Sequence, residues 1–320
     1  MDDPGKLNDP WLVAVWPGMG NVAVSAGYYL MAKLGMHQLA EFSAHELFEM
    51  EFVEVEEGII HAGRLPRSRF FVWHDPNGKH DLVVFLGEAQ PPSGKYAFCR
   101  RLIEYARELG VRRIFTFAAM ATAMHPHDMA RVFVAATDEE GLRDLKQLDV
   151  EVLKEGQISG LNGVLLGVAA EHGIRGSCLL GEMPHLFSQI PFPKASLAVL
   201  EVFVSMAGVE LHMGDLASEA TAIEEKLSDL LDKMKEAIRQ QQSGGIAESG
   251  AGPAGKEPPR KRSRLGDHER RRIEELFAAA ASDRTRAYEL KKELDRLEAF
   301  EAYEDRFLDL FKEPRQQGGE

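Results

Sequence analysis

Cysteine is scarce in this chain: among 320 residues only Cys99 and Cys178 carry thiols, each beside apolar neighbours. Two such residues exclude a disulfide-stapled scaffold and read as reduced core thiols. Long hydrophobic runs are also missing. No stretch approaches the ~18 uncharged apolar residues that a membrane-spanning helix needs. The opening Met1-Asp2-Asp3-Pro4 is acidic where a secretory signal would be basic and then apolar, which predicts a cytoplasmic protein. Basic charge is short as well: 51 acidic residues face 38 Lys and Arg, for a formal net charge of -13. From Lys256 to the end, acidic and basic residues balance, so the excess lies in the preceding body. Such a body repels phosphates, which argues against nucleic acid and membrane surfaces and favours protein partners. There is no internal repeat and no Gly-x-Ser-x-Gly element.

What is present is the pattern of an α/β domain. Trp11–Trp16, Leu82–Leu86 and Ile114–Ala119 are short, continuous apolar runs bounded by Gly, Pro or charge, as expected of strands buried on both faces. Between the last two, Phe98, Leu102, Ile103, Ala106 and Leu109 follow helical spacing, and Gly110 closes the helix. This unit is a βαβ crossover and predicts a central, largely parallel sheet flanked by helices. Glu51–Arg64 with Phe70–Trp73 reads as an antiparallel hairpin edge. Further helices are expected over Val22–Leu34, over Leu161–Glu171 (with Gly163 and Gly167 allowing close packing), from Pro193, and from Asp215 to about Gln241. Residues 243–263 read as a flexible linker ending in a basic cluster, Arg260-Lys261-Arg262 with Arg264. From Asp267 to Lys312 a broken apolar stripe predicts one long helical arm, which needs a partner helix and so suggests a coiled coil. Residues 313–320 read as a tail.

Several short motifs suggest chemistry. Gly18-Met19-Gly20-Asn21-Val22-Ala23 matches Gly-x-Gly-x-x-Ala between a strand and a helix, with Glu41 at ribose-binding distance downstream. The alternative is a tight strand–helix turn. Gly87–Tyr96 fails as a P-loop, because six residues lie between Gly87 and Gly94 and Tyr96 stands where a hydroxyl should bind Mg²⁺. Glu88 and Glu182 each follow a central strand, so they are candidate pocket carboxylates able to share acid/base work, with Pro184 closing the second loop. His125-Pro126-His127-Asp128 offers metal-ligand types, but a loop capping a strand is the preferred reading, and no metal or other cofactor is expected.

The segment Gly173–Leu216 reads G-I-R-G-S-C-L-L-G-E-M-P-H, then a spacer through Pro191 and Pro193, then an apolar helical run ending near G-V-E-L-H-M-G-D-L. With Pro17-Gly18-Met19-Gly20-Asn21 near the start, this order resembles the PAC2 family, the proteasome assembly chaperone 2-like proteins, over roughly residues 8–240. The resemblance implies a body over residues 1–242 akin to the nucleoside-phosphorylase arrangement, with residues 264–312 as an added arm. It implies a non-catalytic assembly factor or scaffold that binds 20S-type proteasome subunits as a homo-oligomer. It places a comparable glycine turn at Gly18, Gly20 and Asn21. It also places a Gly-x-Glu-Pro type loop where Glu88 stands, although here the proline comes only at Pro91. The hydrophobic-Tyr-any ending of some relatives is absent. The ending Gly318-Gly319-Glu320 is similar to that of the prokaryotic ubiquitin-like modifiers, whose terminal Glu is joined to lysines. It therefore reads either as a frayed end or as a conjugation or recognition tag. The competing functional reading is a nucleotide or small-molecule enzyme built on the Gly18–Gly20 turn, Glu88 and Glu182.

Overall fold

The computed structural model of the chain describes residues 7–50, 53–56, 58–243 and 265–312. The chain begins with β1 (Trp11–Val15), α1 (Val22–Lys33), β2 (His37–Phe42), β3 (Val53–Glu56), β4 (Ile59–Ala62), β5 (Ser68–Trp73), β6 (Leu82–Gly87) and α2 (Lys95–Glu108). It continues with β7 (Arg113–Thr122), β8 (Val132–Ala136), α3 (Glu139–Leu145), β9 (Glu151–Val152), α4 (Gly160–Glu171) and β10 (Arg175–Pro184). It closes with α5 (Pro193–Ala207), α6 (Gly214–Ser243), α7 (Asp267–Ser282), α8 (Ala287–Arg296) and α9 (Phe300–Asp309).

One eight-stranded sheet runs in the order β2-β5-β6-β1-β7-β10-β8-β9. Its centre, β6-β1-β7-β10, is parallel. β5 and β8 pair antiparallel with β6 and β10 at its flanks. Every residue of β1 and β6 is buried, which is why these strands are apolar throughout rather than alternating. The β6–α2–β7 crossover passes over β1, which sits between the two strands it joins. Helices α2 and α4 cover one face, with Phe98, Leu102, Leu161 and Leu165 fully buried. α1 and α5 cover the other, backed by α6 to α9. Close approach is secured by missing side chains: a methyl at Gly181 would lie 2.6 Å from the Ala195 carbonyl of α5, and one at Gly163 would collide with the Ile158 carbonyl. Gly167, expected to serve in the same way, has open space around it.

Several expectations require correction. The stripe over 267–312 is not one long arm but three helices. Asp283 leaves helical geometry at φ -142° and its side chain accepts from the Thr285 N–H, which ends α7. Glu298 at φ 53° separates α8 from α9. The stripe needs no coiled-coil partner, because Phe307, Leu308 and Phe311 are fully buried in the core that includes α1. Tyr28 of α1 meets Phe300 and Phe307 edge-on at 5.2 and 5.7 Å. The hairpin also differs: β3 and β4 pair only with each other, whereas β5 lies in the main sheet between β2 and β6. Finally, β10 runs through Pro184, so Glu182 lies inside a strand rather than in a loop.

Candidate functional site

The glycine turn after β1 is shaped by its neighbours. Gly20 is buried at φ 59°, and a methyl there would lie 2.8 Å from both Met183 Sδ and Cε. Its N–H donates to the Ser188 carbonyl at 2.8 Å and its carbonyl accepts from the Phe192 N–H at 2.9 Å. The turn therefore clamps the β10–α5 connection, and the space that a pyrophosphate would need at Gly20 is filled by Met183 and Phe192. Asn21 enters the left-handed region at φ 51° and provides no side-chain cap for α1. Gly18 is extended, with nothing within 4 Å of where its Cβ would be.

Glu88, just past β6, is bound by arginines. Its carboxylate accepts from Arg69 Nη1 and Arg64 Nη1, both at 2.8 Å, and from the Arg67 N–H at 2.9 Å. Arg69 is 1% exposed and spans to Asp305 of α9 at 2.6 Å. Arg67 also reaches Asp305, at 3.1 Å, and grips Glu41 with two bonds of 2.8 Å, so Glu41 faces an arginine and not a ribose. The hydrogen bond to Glu41 raises Arg67 above the usual guanidinium range. Burial pushes the Asp305 carboxyl up, but the Arg69 hydrogen bond and the arginine charges outweigh it and hold Asp305 below its usual range. Burial, and then the nearby Glu88 charge, raise Glu304, which accepts from the Tyr28 hydroxyl at 2.8 Å. This network ties the carboxyl end of the sheet to α9.

Glu182 is fixed separately. Arg131 grips it with Nε and Nη2 at 2.9 and 2.7 Å, and Thr122 Oγ1 donates at 2.8 Å. The Arg131 hydrogen bonds hold its carboxyl below the usual range. Along β10, Cys178 and Leu180 face α2 and α4 while Leu179 and Met183 face α1 and α5, so alternation places Glu182 on the α2/α4 side. Glu88 binds Arg69, which alternates with Phe70 and lies on the α1 side, and two strands separate β6 from β10. The two carboxylates, expected at one rim, are therefore on opposite faces, each with its own arginine. That arrangement provides no proton-sharing pair. Pro184 is the last residue of β10, opposite Thr122, and opens the short 185–187 turn.

Neither thiol is poised for attack: burial pushes Cys99 up to about 12 and Cys178 up to about 11. His127 lies 2.7 Å from Glu224, which Lys194 also holds, and no metal-holding cluster occurs among the described residues. The basic cluster 260–264 and Gly318-Gly319-Glu320 lie outside the described residues. Sequence reasoning missed Arg64, Arg67, Arg69 and Arg131. The available signal was the dense Arg64-x-x-Arg67-x-Arg69 run entering an apolar strand. It also missed a cleft of about 750 Å³ at the carboxyl ends of β1 and β7, bordered by Trp16, Gly18, Gln90, Ala118 and Asn162.

This combination is an α/β sheet whose rim residues are engaged in structural bonds and whose surface is left for contacts. The model of the PAC2 family matches residues 12–231, and the chain belongs to that family. It is 28% identical to the crystal structure of PbaB from Pyrococcus furiosus, described as an archaeal proteasome activator, with a TM-score of 0.61 over 71% of this chain and 96% of that one. It is 26% identical to PbaA of the same organism, described as an archaeal homolog of proteasome-assembly chaperone, with a TM-score of 0.56 over 74% and 94%. An uncharacterised protein of Methanocaldococcus jannaschii is 26% identical over 74% of this chain and 90% of its own length.

Proposed function

We propose that this protein is a non-catalytic, proteasome-assembly-chaperone-like factor that binds 20S-type proteasome subunits in the cytoplasm as a homo-oligomer. The observation that carries this reading is the PAC2 match across the body, together with structural similarity to a proteasome activator and a chaperone homologue. The geometry supports it: Glu88 and Glu182 are each locked to arginine, and both thiols are buried. No helix among the described residues is long and apolar enough to cross a membrane.

The body over residues 1–242 carries partner binding, and the 264–312 segment is an appended subdomain beyond the family match. The β3–β4 hairpin is the candidate contact. Val55 and Ile60 face each other across it at 65% and 69% exposure, and an isolated two-stranded hairpin gains stability only when something covers it. Affinity capture from the native cell, followed by mass spectrometry, tests the reading. Ring subunits are expected with the wild type and are lost with Val55→Lys/Ile60→Lys. Their absence from wild-type captures contradicts it.

A further inference from the structure

We propose that the cleft at the amino ends of β1, β7 and β10 binds a small anion that carries two or more linked phosphates. Its volume is about 780 Å³, and Arg107, Arg112, Arg113 and Arg175 line it against a single carboxylate, Asp9. Four guanidinium groups meet here in a chain whose formal net charge is -13. The topology makes them converge. α2 and α4 each run out into a glycine at positive φ, Gly110 and Gly173, then a buried apolar residue, then arginine. The two stretches read Gly110-Val111-Arg112-Arg113 and Gly173-Ile174-Arg175. The strands that follow are neighbours: Arg113 and Arg175 are direct register partners, with Trp11 opposite Arg113 on β1. Partners in a parallel pair present their side chains to the same face.

Two of the arginines are held in position and two are free to close on a ligand. Arg113 is bonded to Asp144 and lies over the Trp11 ring at 5.0 Å, and Arg175 takes Glu140 through both terminal nitrogens. Each has donors left over, because a guanidinium carries five N–H groups. Arg107 is exposed and makes no ion pair or side-chain hydrogen bond among the described residues. Arg112 stands 3.8 Å from Asp9 with its side chain 75% exposed. A cation in the last turn of α2 suits the helix dipole, which accounts for Arg107 alone. It does not account for three more guanidinium groups, from a loop and two strands, at the same cleft. A carboxylate has one charge and two coplanar oxygens, and a single guanidinium satisfies it. A phosphate chain has several charges and tetrahedral oxygens, which donors arriving from different elements match. Open α/β sheets more often take ligands at the carboxyl edge, where helix N-termini supply backbone donors; here the side chains supply them. The cleft lies at the opposite edge of the sheet from Glu88 and needs no protein partner.

Titration calorimetry on the full chain tests this at about 0.15 M salt, where charges are screened beyond ~8 Å. Tripolyphosphate and ATP are the probes, and orthophosphate and citrate the controls. Tripolyphosphate is expected to bind saturably, and both controls about tenfold or more weakly. Equal affinity for ATP identifies the phosphate chain as the whole determinant, and tighter ATP identifies a nucleotide as its source. Arg107→Ala/Arg112→Ala removes exposed groups only and should weaken tripolyphosphate about tenfold or more while leaving the thermal midpoint unchanged. Arg100→Ala/Lys154→Ala makes the same charge change at exposed positions outside the cleft and should leave binding as it is. Asp9→Asn removes the one lining carboxylate, keeps a residue type that tolerates its φ of 42°, and should tighten binding. The proposal is overturned if tripolyphosphate does not saturate, if citrate binds equally well, or if the two double variants have the same effect.

Discussion

Arg69→Met gives the sharpest test of how the carboxyl edge of the sheet is held to α9. The wild-type guanidinium, 1% exposed, bridges Glu88 on one side and Asp305 on the other at 2.8 and 2.6 Å. Methionine retains most of the side-chain volume, so the loss isolates the charge. Glu88, with a side chain 6% exposed, then keeps only Arg64 and the Arg67 N–H. Removing one partner of a buried pair costs about 3–5 kcal/mol; because Glu88 keeps two donors, about 3 kcal/mol is expected here. At roughly 2 °C per kcal/mol for a large domain, the thermal midpoint falls by about 6 °C. Asp305 is different. Its side chain is 42% exposed, so solvent screens it and Asp305→Asn should cost only about 0–1 kcal/mol. The assay is urea unfolding of both single variants and the double variant, followed by circular dichroism, with limited proteolysis reporting release of α9. The double variant should lose less than the sum of the singles, since both changes break one contact. Wild-type stability in Arg69→Met, or strict additivity, would refute the idea that this arginine fastens α9.

Other expectations follow from the same contacts. Gly20→Ala brings a methyl within 2.8 Å of Met183 at a positive φ, and should cost about 2 kcal/mol, while Gly18→Ala should leave stability unchanged; thermal denaturation of the pair checks both. Arg131 lowers the Glu182 carboxyl, so the folded state binds fewer protons there. Its contribution is present above the usual glutamate range and lost as pH falls through the lowered value, so Glu182→Gln should destabilise at pH 7 and much less in acid. Glu304 is shifted upward by burial and by Glu88, so its sign is opposite. Its burial disfavours folding as pH rises above the usual glutamate range, and Glu304→Gln should stabilise at neutral pH and match wild type in acid, read by urea midpoints against pH. Cys99 and Cys178 should resist a thiol reagent in the native state and react only on unfolding.

The centre of the fold was legible because its signals are local. β1 and β6 are continuous apolar runs, and α2 shows its buried face by spacing alone. β2 was not legible: His37–Phe42 is a half-buried strand at the sheet edge, where polar residues interrupt the pattern. The apolar stripe of the C-terminal region was visible, but not what buries it, because Tyr28 and Phe71 lie more than two hundred residues away along the chain. The Asp283-x-Thr285 cap was in the sequence and marks the end of α7. Glu88 does follow β6, but Glu182 lies inside β10 rather than after it, and the roles of both depend on long-range arginine pairs. Arg69 and Asp305 are separated by 236 positions, and nothing in local spacing links them. The turn at Gly18–Gly20 was read as either a nucleotide cradle or a tight turn, and Met183 and Phe192 at Gly20 favour the turn.

The central claim is that this PAC2-family chain binds proteasome ring subunits without catalysing a reaction. The most direct measurement is sedimentation velocity of the purified protein, alone and mixed with 20S-type ring subunits from its own cell. The account predicts a homo-oligomer that forms a larger, stoichiometric complex with those subunits, and loss of that complex in Val55→Lys/Ile60→Lys. Independent sedimentation of the two components at micromolar concentration would contradict it.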